Sequence, residues 1–133
     1  MDHLKKFKIF LFITTTILIN ACGSEAIQSM EVTATAYNSV KAQTANNPAI
    51  TAWGDTLKPG MKAIAISRDL LDSGFHHTME VAIEGLEGKF KVLDKMNRRW
   101  TRKIDIYMGT NVSKAREWGK QEVMIHWTPS ESE

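Results

Sequence analysis

From residue 31 onward, apolar and polar side chains alternate in short runs divided by turn residues. In residues 31–37 (EVTATAY), Val32, Ala34 and Ala36 fall on one side and Thr33, Thr35 and Tyr37 on the other, the period of two that marks a half-buried strand. Residues 61–66 (MKAIAI) end in a second such segment. Residues 78–84 (TMEVAIE) set Met79, Val81 and Ile83 apart from Glu80 and Glu84. The link 85–88 (GLEG) is short enough to fold 78–84 and 89–94 into a hairpin. Residues 103–108 and 122–127 complete the strand candidates. Helical spacing is confined to 111–118 (NVSKAREW), where Val112, Ala115 and Trp118 recur before Gly119 supplies a stop, and to the short turn 67–71 (SRDLL) with Ser67 as its N-cap. Residues 38–48 are a polar loop, and 49–57 turn at Gly54-Asp55 after a brief apolar stretch around Trp53. Six or seven short strands at about ten-residue intervals predict a mainly β domain closed into a barrel, with one short helix before the last strand. A small open sheet would expose two edges, and an immunoglobulin-like sandwich has no ready place for the helix.

The first 22 residues follow a different pattern. Lys5, Lys6 and Lys8 precede an apolar run over 9–19, which is shorter than the about 20 residues of a membrane span and suits a signal-peptide core. The run ends in Ala21-Cys22, a small residue before the chain's one cysteine, and resembles a bacterial lipobox. That resemblance implies a lipid on Cys22 and a chain anchored to a membrane of the bacterial envelope, the outer membrane facing the periplasm being the expected place. Residues 23–30 then read as a tether, 31–127 as the folded domain and 128–133 as a polar tail.

Composition narrows the function classes. Residues 1–22 hold three of the 17 basic side chains and one of the 15 acidic ones, so the remainder is neutral and offers no basic surface for nucleic acid. One cysteine excludes an intrachain disulfide and a thiolate zinc site. His76 and His77 are adjacent and diverge in an extended chain, which makes a poor metal site, and His126 reads as a surface residue. No phosphate loop, HExxH or nucleophile elbow is present. No cofactor and no metal is expected.

The chemistry concentrates in residues 91–107 (KVLDKMNRRWTRKIDIY), where two acids sit in apolar strand segments on either side of a basic loop. Placing an acid in such a segment is costly unless it is paired or its raised pKa is used. Period two puts Asp105 with Tyr107, opposite Ile104 and Ile106, and puts Asp94 with Val92 and Phe90. Carboxylates converging across the barrel would repel, raising one pKa. The same acids could instead be structural, pairing with Arg98, Arg99 or Lys103. Tyr37, Trp53 and Trp100 are candidates for stacking on sugar rings, whereas Trp118 and Trp127 fit the core. Asp55 lies in a turn, as groove lining or an Asx-turn.

Together VTATAYNS, TAWGDTLKPG, KAIAIS, VLD followed eleven residues on by IDIYMG, AREWG and VMIHW resemble the three-aspartate (3D) domain. That family is related to the C-terminal part of murein lytic transglycosylase A and to stationary-phase survival and resuscitation proteins. The resemblance spans about residues 31–127. It implies a six-stranded double-psi β-barrel acting on peptidoglycan glycan strands, with Asp105 as catalytic acid/base and Asp94 as its supporting acid. Tyr37, Thr51, Trp53, Asp55, Trp100 and Tyr107 are the expected substrate-binding residues. Ser67 stands where relatives carry the third aspartate, with Asp69 two residues later, and KMNRRWTRK replaces a glycine-rich loop. Such an enzyme cleaves the glycosidic bond with one acid, the sugar's own 6-hydroxyl displacing the leaving group. The alternative is a non-catalytic glycan-binding or expansin-like wall-loosening module in the same groove.

Overall fold

The alternating segments close on themselves. In the computed structural model, which describes residues 25–40 and 49–129, six strands form one closed barrel: β1 (Gln28–Tyr37), β2 (Ala63–Ile66), β3 (Glu80–Ile83), β4 (Lys89–Lys95), β5 (Lys103–Tyr107) and β6 (Gln121–Trp127). Around the barrel they run β1-β5-β2-β4-β3-β6. The pairs β1/β5 and β2/β4 are parallel and the other four antiparallel. Exchanging the first three strands for the last three leaves this order and the sense of every pairing unchanged. Two interlocked halves, each lending one strand to each parallel pair, give the six-stranded double-psi arrangement that the resemblance implies. Closure removes the edges that a sheet this small would otherwise expose. The helices are α1 (Asp69–Asp72), after β2, and α2 (Val112–Trp118), just before the last strand.

One side chain in two from each strand fills the interior. Val32, Ala34, Ile64, Ile66, Val81, Val92, Ile104, Ile106 and Ile125 are buried there, and Leu70, Phe75 and Met79 join them. Trp118 and Trp127 pack against this core, as their periodicity predicts. A second, smaller cluster of Leu57, Ala63, Leu93 and Tyr107, with Tyr37 against it, lies on the outer side of the strands. It covers part of the face that carries the two acids.

Four local features depart from the sequence expectation. First, β1 begins at Gln28, inside the expected tether, because Gln28–Met30 pair with the end of β6 although QSM has no strand pattern. Second, β3 is only four residues long, and Thr78 before it adopts φ 70°. Third, α1 has Arg68 at its N-cap, with no side-chain cap. The Ser67 hydroxyl instead accepts the Lys103 amide at 2.9 Å, which ties the end of β2 to the start of β5. Fourth, the β2/β4 register slips by one residue: Ile64 faces Val92, but Ala65 faces Asp94. The extra β4 residue is a β-bulge. Asn111 caps α2 as expected for a helix start, accepting the Lys114 amide at 2.9 Å. The expected signal peptide, Cys22, most of the 38–48 loop and the end of the tail lie outside the described residues.

Ile64 is fully buried and faces the core between β4 and β5. Ile64→Ala is expected to cost about 2–5 kcal/mol, read as a lowered urea midpoint with an unchanged slope.

Candidate active site

Strand register brings the two acids together. Asp94 of β4 faces Ala65 of β2, Ala65 faces Asp105 of β5, and Asp105 faces Thr35 of β1. Residues opposite one another on neighbouring strands share a sheet face. Asp94, Ala65, Asp105 and Thr35 therefore form one row across four strands. Ile64, Ile66, Ile104 and Ile106 point into the core, so the row points out of the barrel. Two strand spacings separate the two acid backbones, about 10 Å. The residue between them in the row is Ala65, whose side chain is a single methyl.

This corrects two details of the sequence expectation. The acids do not converge across the barrel interior but stand side by side on its outer face. Asp94 is not on the side of Val92 and Phe90, because the bulge adds a residue: Val92 packs in the core, Leu93 in the outer cluster, and Asp94 then pairs with outward-facing Ala65.

The surroundings of Asp105 favour its protonated form. Its pKa is raised above 3.8 by burial; the Thr35 hydrogen bond and the Lys103 charge oppose that shift without cancelling it, and the negative charge of Asp94 makes the smallest contribution, upward. The Thr35 hydroxyl donates to Asp105 Oδ1 at 3.0 Å. Two of the nearby cations lie over an indole and form no ion pair with these acids. Lys103 Nζ lies 3.6 Å from the centre of the Trp100 ring and the Arg99 guanidinium 4.9 Å from it. Among the described residues the ion pairs are His77–Asp55 and Lys89–Glu80, and neither involves Asp94 or Asp105.

Two tyrosines adjoin the row. Tyr37 and Tyr107 face each other on β1 and β5, ring centres 5.5 Å apart at 52°. Tyr107 shares a 2.8 Å hydrogen bond with the Ser39 hydroxyl. The Tyr37 hydroxyl is buried and has no hydrogen-bond partner among the described residues. Burial, then the charges of Asp94 and Asp105 and the neighbouring Tyr107, push its pKa far above the ordinary phenol value. Tyr37 is thus a proton-bearing donor lodged beside two carboxyl groups rather than a flat platform for a sugar.

A short loop closes the Asp94 end of the row. Asp94 Oδ1 accepts the amides of Ala52 and Lys95, each at 2.8 Å. Thr51 is buried, and its hydroxyl accepts the Asp55 amide at 3.0 Å, a small turn permitted by Gly54 at φ 88°. Asp55 Oδ2 also takes a 2.6 Å hydrogen bond from His77 Nε2. Trp53 stacks on the His77 ring, centres 5.0 Å apart, and Lys95 Nζ lies 4.7 Å from the indole centre. Thr51, Trp53 and Asp55 therefore act as the loop's framework, and the indole of Trp53 is already covered by two partners. Trp100, 38% exposed, rims the row above Lys103. Ser67 and Asp69 are not in the row. Burial works to raise the Asp69 pKa, but hydrogen bonds from Ser67 and the Arg102 amide outweigh it and hold the carboxyl below the ordinary value. With Arg102 N–H on its Oδ2 at 2.9 Å, Asp69 pins the β4–β5 loop.

Thr35, Ala65 and His77 were not singled out by sequence reasoning. Thr35 had one available signal, its shared period with Tyr37. Ala65 is informative only through strand register, and nothing local links His77 to Asp55, 22 residues away. A cavity of about 370 Å³ opens beside Tyr107, lined also by Lys62, Phe90, Met108 and Lys114. A larger one of about 420 Å³, bordered by His76, Glu80, Lys89 and His126, includes no residue of the row. Among the described residues no three His, Cys, Asp or Glu side chains gather as a metal site. No protein-family model matches the chain, and no curated protein matches its sequence.

The raised pKa of Asp105 has a thermodynamic consequence. Its folded-state pKa exceeds its unfolded value, so the native state holds the proton more tightly. The favourable contribution is complete below the unfolded pKa near 3.8 and is lost as pH rises through the folded pKa. Asp105→Asn removes the cost of ionising a buried group while keeping an acceptor for Thr35. The variant is expected to melt above the parent chain at pH 7 and level with it below pH 3.8, followed by calorimetry across that range.

Proposed function

We propose that this chain is a peptidoglycan-cleaving enzyme of the bacterial envelope, held to a membrane by a lipid on Cys22 and acting on glycosidic bonds as lytic transglycosylases do. The observation that carries this reading is the row: a carboxyl group with a raised pKa, beside a second carboxylate, on an outward face and free of ion pairs with described cations. Cleaving a glycosidic bond requires protonation of the departing oxygen, and an acid must hold its proton near neutral pH to supply it. Asp105 donates that proton as the bond from C1 breaks. The 6-hydroxyl of the same sugar then attacks C1, and its proton passes to the Asp105 carboxylate. The products are a 1,6-anhydro end and a free 4-hydroxyl, and Asp105 is returned to its starting state with no water consumed. Thr35 orients the acid. Asp94 adds to the rise in its pKa, and the buried Tyr37 hydroxyl keeps its proton beside the two carboxyl groups. One acid suffices for this route, whereas a retaining hydrolase needs a second carboxyl group about 5 Å away as nucleophile.

A second reading, a glycan-binding or wall-loosening module without turnover, draws on Ser67 in place of a third acid and on the exposed apolar side chains of Ile50 (46%) and Trp100 (38%). Digestion of purified sacculi by the full-length chain in detergent separates the two. Mass spectrometry is expected to find 1,6-anhydro muropeptides, reduced by at least about 100-fold in Asp105→Asn. Binding to sacculi with no product, unaltered by that substitution, would establish the module instead.

A further inference from the structure

The loop between β4 and β5 is the most strongly charged surface near the row, and the mechanism above does not use it. Lys95, Arg98, Arg99, Arg102 and Lys103 fall within nine residues, and residues 97–102 are exposed. Arg68 joins them from the β2 side, its Nε donating to the Met96 carbonyl at 3.0 Å. Asp69 is the acid in contact with this loop, and what it accepts is the backbone amide of Arg102. Neither ion pair among the described residues includes any of these six cations.

The loop is also held in shape. The Arg99 amide donates to Asn97 Oδ1 at 3.1 Å, and the Trp100 amide to the Asn97 carbonyl at 3.1 Å. The Arg102 and Lys103 carbonyls accept from Thr33 and Ser67. Lys103 and Arg99 lie over the Trp100 ring, which orders two of the cations before any ligand arrives. A fixed loop with an unpaired excess of positive charge is suited to anions, and two guanidinium forks are suited to planar carboxylates.

Location identifies which anion. Lys103 is two residues from Asp105 on the same strand face, a separation of about 7 Å. A ligand whose glycosidic bond lies at Asp105 therefore brings its nearest substituents to this loop. The patch is these six cations alone, the rest of residues 23–133 carrying 14 acidic and eight basic side chains, and it is too small to follow a long polyanion. Resting on the reading of the row as a peptidoglycan-cleaving site, we infer that the 95–103 loop is a subsite for the carboxylates of the peptide stems on the glycan strand. The chain then selects peptide-bearing strands over stripped ones.

The test uses the full-length chain and two fluorescent probes, muropeptide fragments with their peptides and the same fragments after amidase removal of the peptides. The parent chain is expected to bind the peptide-bearing probe at least about tenfold more tightly, with the difference shrinking as salt is raised. Arg98→Gln with Arg99→Gln is expected to abolish the difference and leave affinity for the stripped probe unchanged. Both changes are at exposed positions, and a thermal melt matching the parent confirms that the fold is intact. Equal binding of the two probes by the parent, or a preference retained in the double variant, would overturn the subsite. So would tighter binding to an oligonucleotide than to the peptide-bearing probe, which would reassign the loop to phosphodiesters. A preference for peptide-bearing fragments with no anhydro product from sacculi would keep the subsite and reject the lytic reading, and cleavage without preference would do the reverse.

Discussion

One extra residue in β4 decides where the chemistry of this chain stands. Without it, strict alternation would pair Leu93 with Ala65 and turn Asp94 inward beside Val92, into a core of isoleucine and valine. An ionised carboxylate there would cost several kcal/mol with nothing to compensate it. The bulge leaves Leu93 in the outer cluster and brings Asp94 out beside it, aligned with Ala65 and, through it, with Asp105. Because Ala65 is small, its own side chain does not wall the two acids apart.

The electrostatics of the row follow from that placement. Asp105 is shielded from water by its neighbours, and its charged form is further disfavoured by Asp94. The basic loop next to it could have reversed this, since a lysine or arginine brought onto the carboxylate would hold it ionised. Lys103 and Arg99 lie over the Trp100 ring, and the Lys103 charge lowers the Asp105 pKa without cancelling the effect of burial. The loop's cations thus stay close to the acid without neutralising it.

Much of the fold was legible because a half-buried strand writes itself as period two, as residues 31–37 and 78–84 do. The first residues of β1 do not, since Gln28, Ser29 and Met30 become strand only by pairing with Ile125, His126 and Trp127. Ring order was a matter of family resemblance rather than pattern, as long-range pairing leaves no local trace. Asp94, Asp105, Tyr37 and Tyr107 were legible as candidates from an acid or phenol set among apolar neighbours. Their geometry was not, because the bulge in KVLDK carries no glycine or proline to announce it. Trp53 and Asp55 looked like groove lining, yet they are spent on His77 and Thr51. Ser67, expected to cap a helix, closes the strand junction instead.

The central claim is that Asp105 holds its proton beyond the ordinary carboxylate range partly because Asp94 stands beside it. Carbon-detected NMR titration of the aspartate carboxyl groups, in the parent chain and in Asp94→Asn, measures this directly. The account predicts an Asp105 pKa above 3.8 that moves down when Asp94 loses its charge. An Asp105 that titrates at or below 3.8, or whose titration is the same in both proteins, would contradict it.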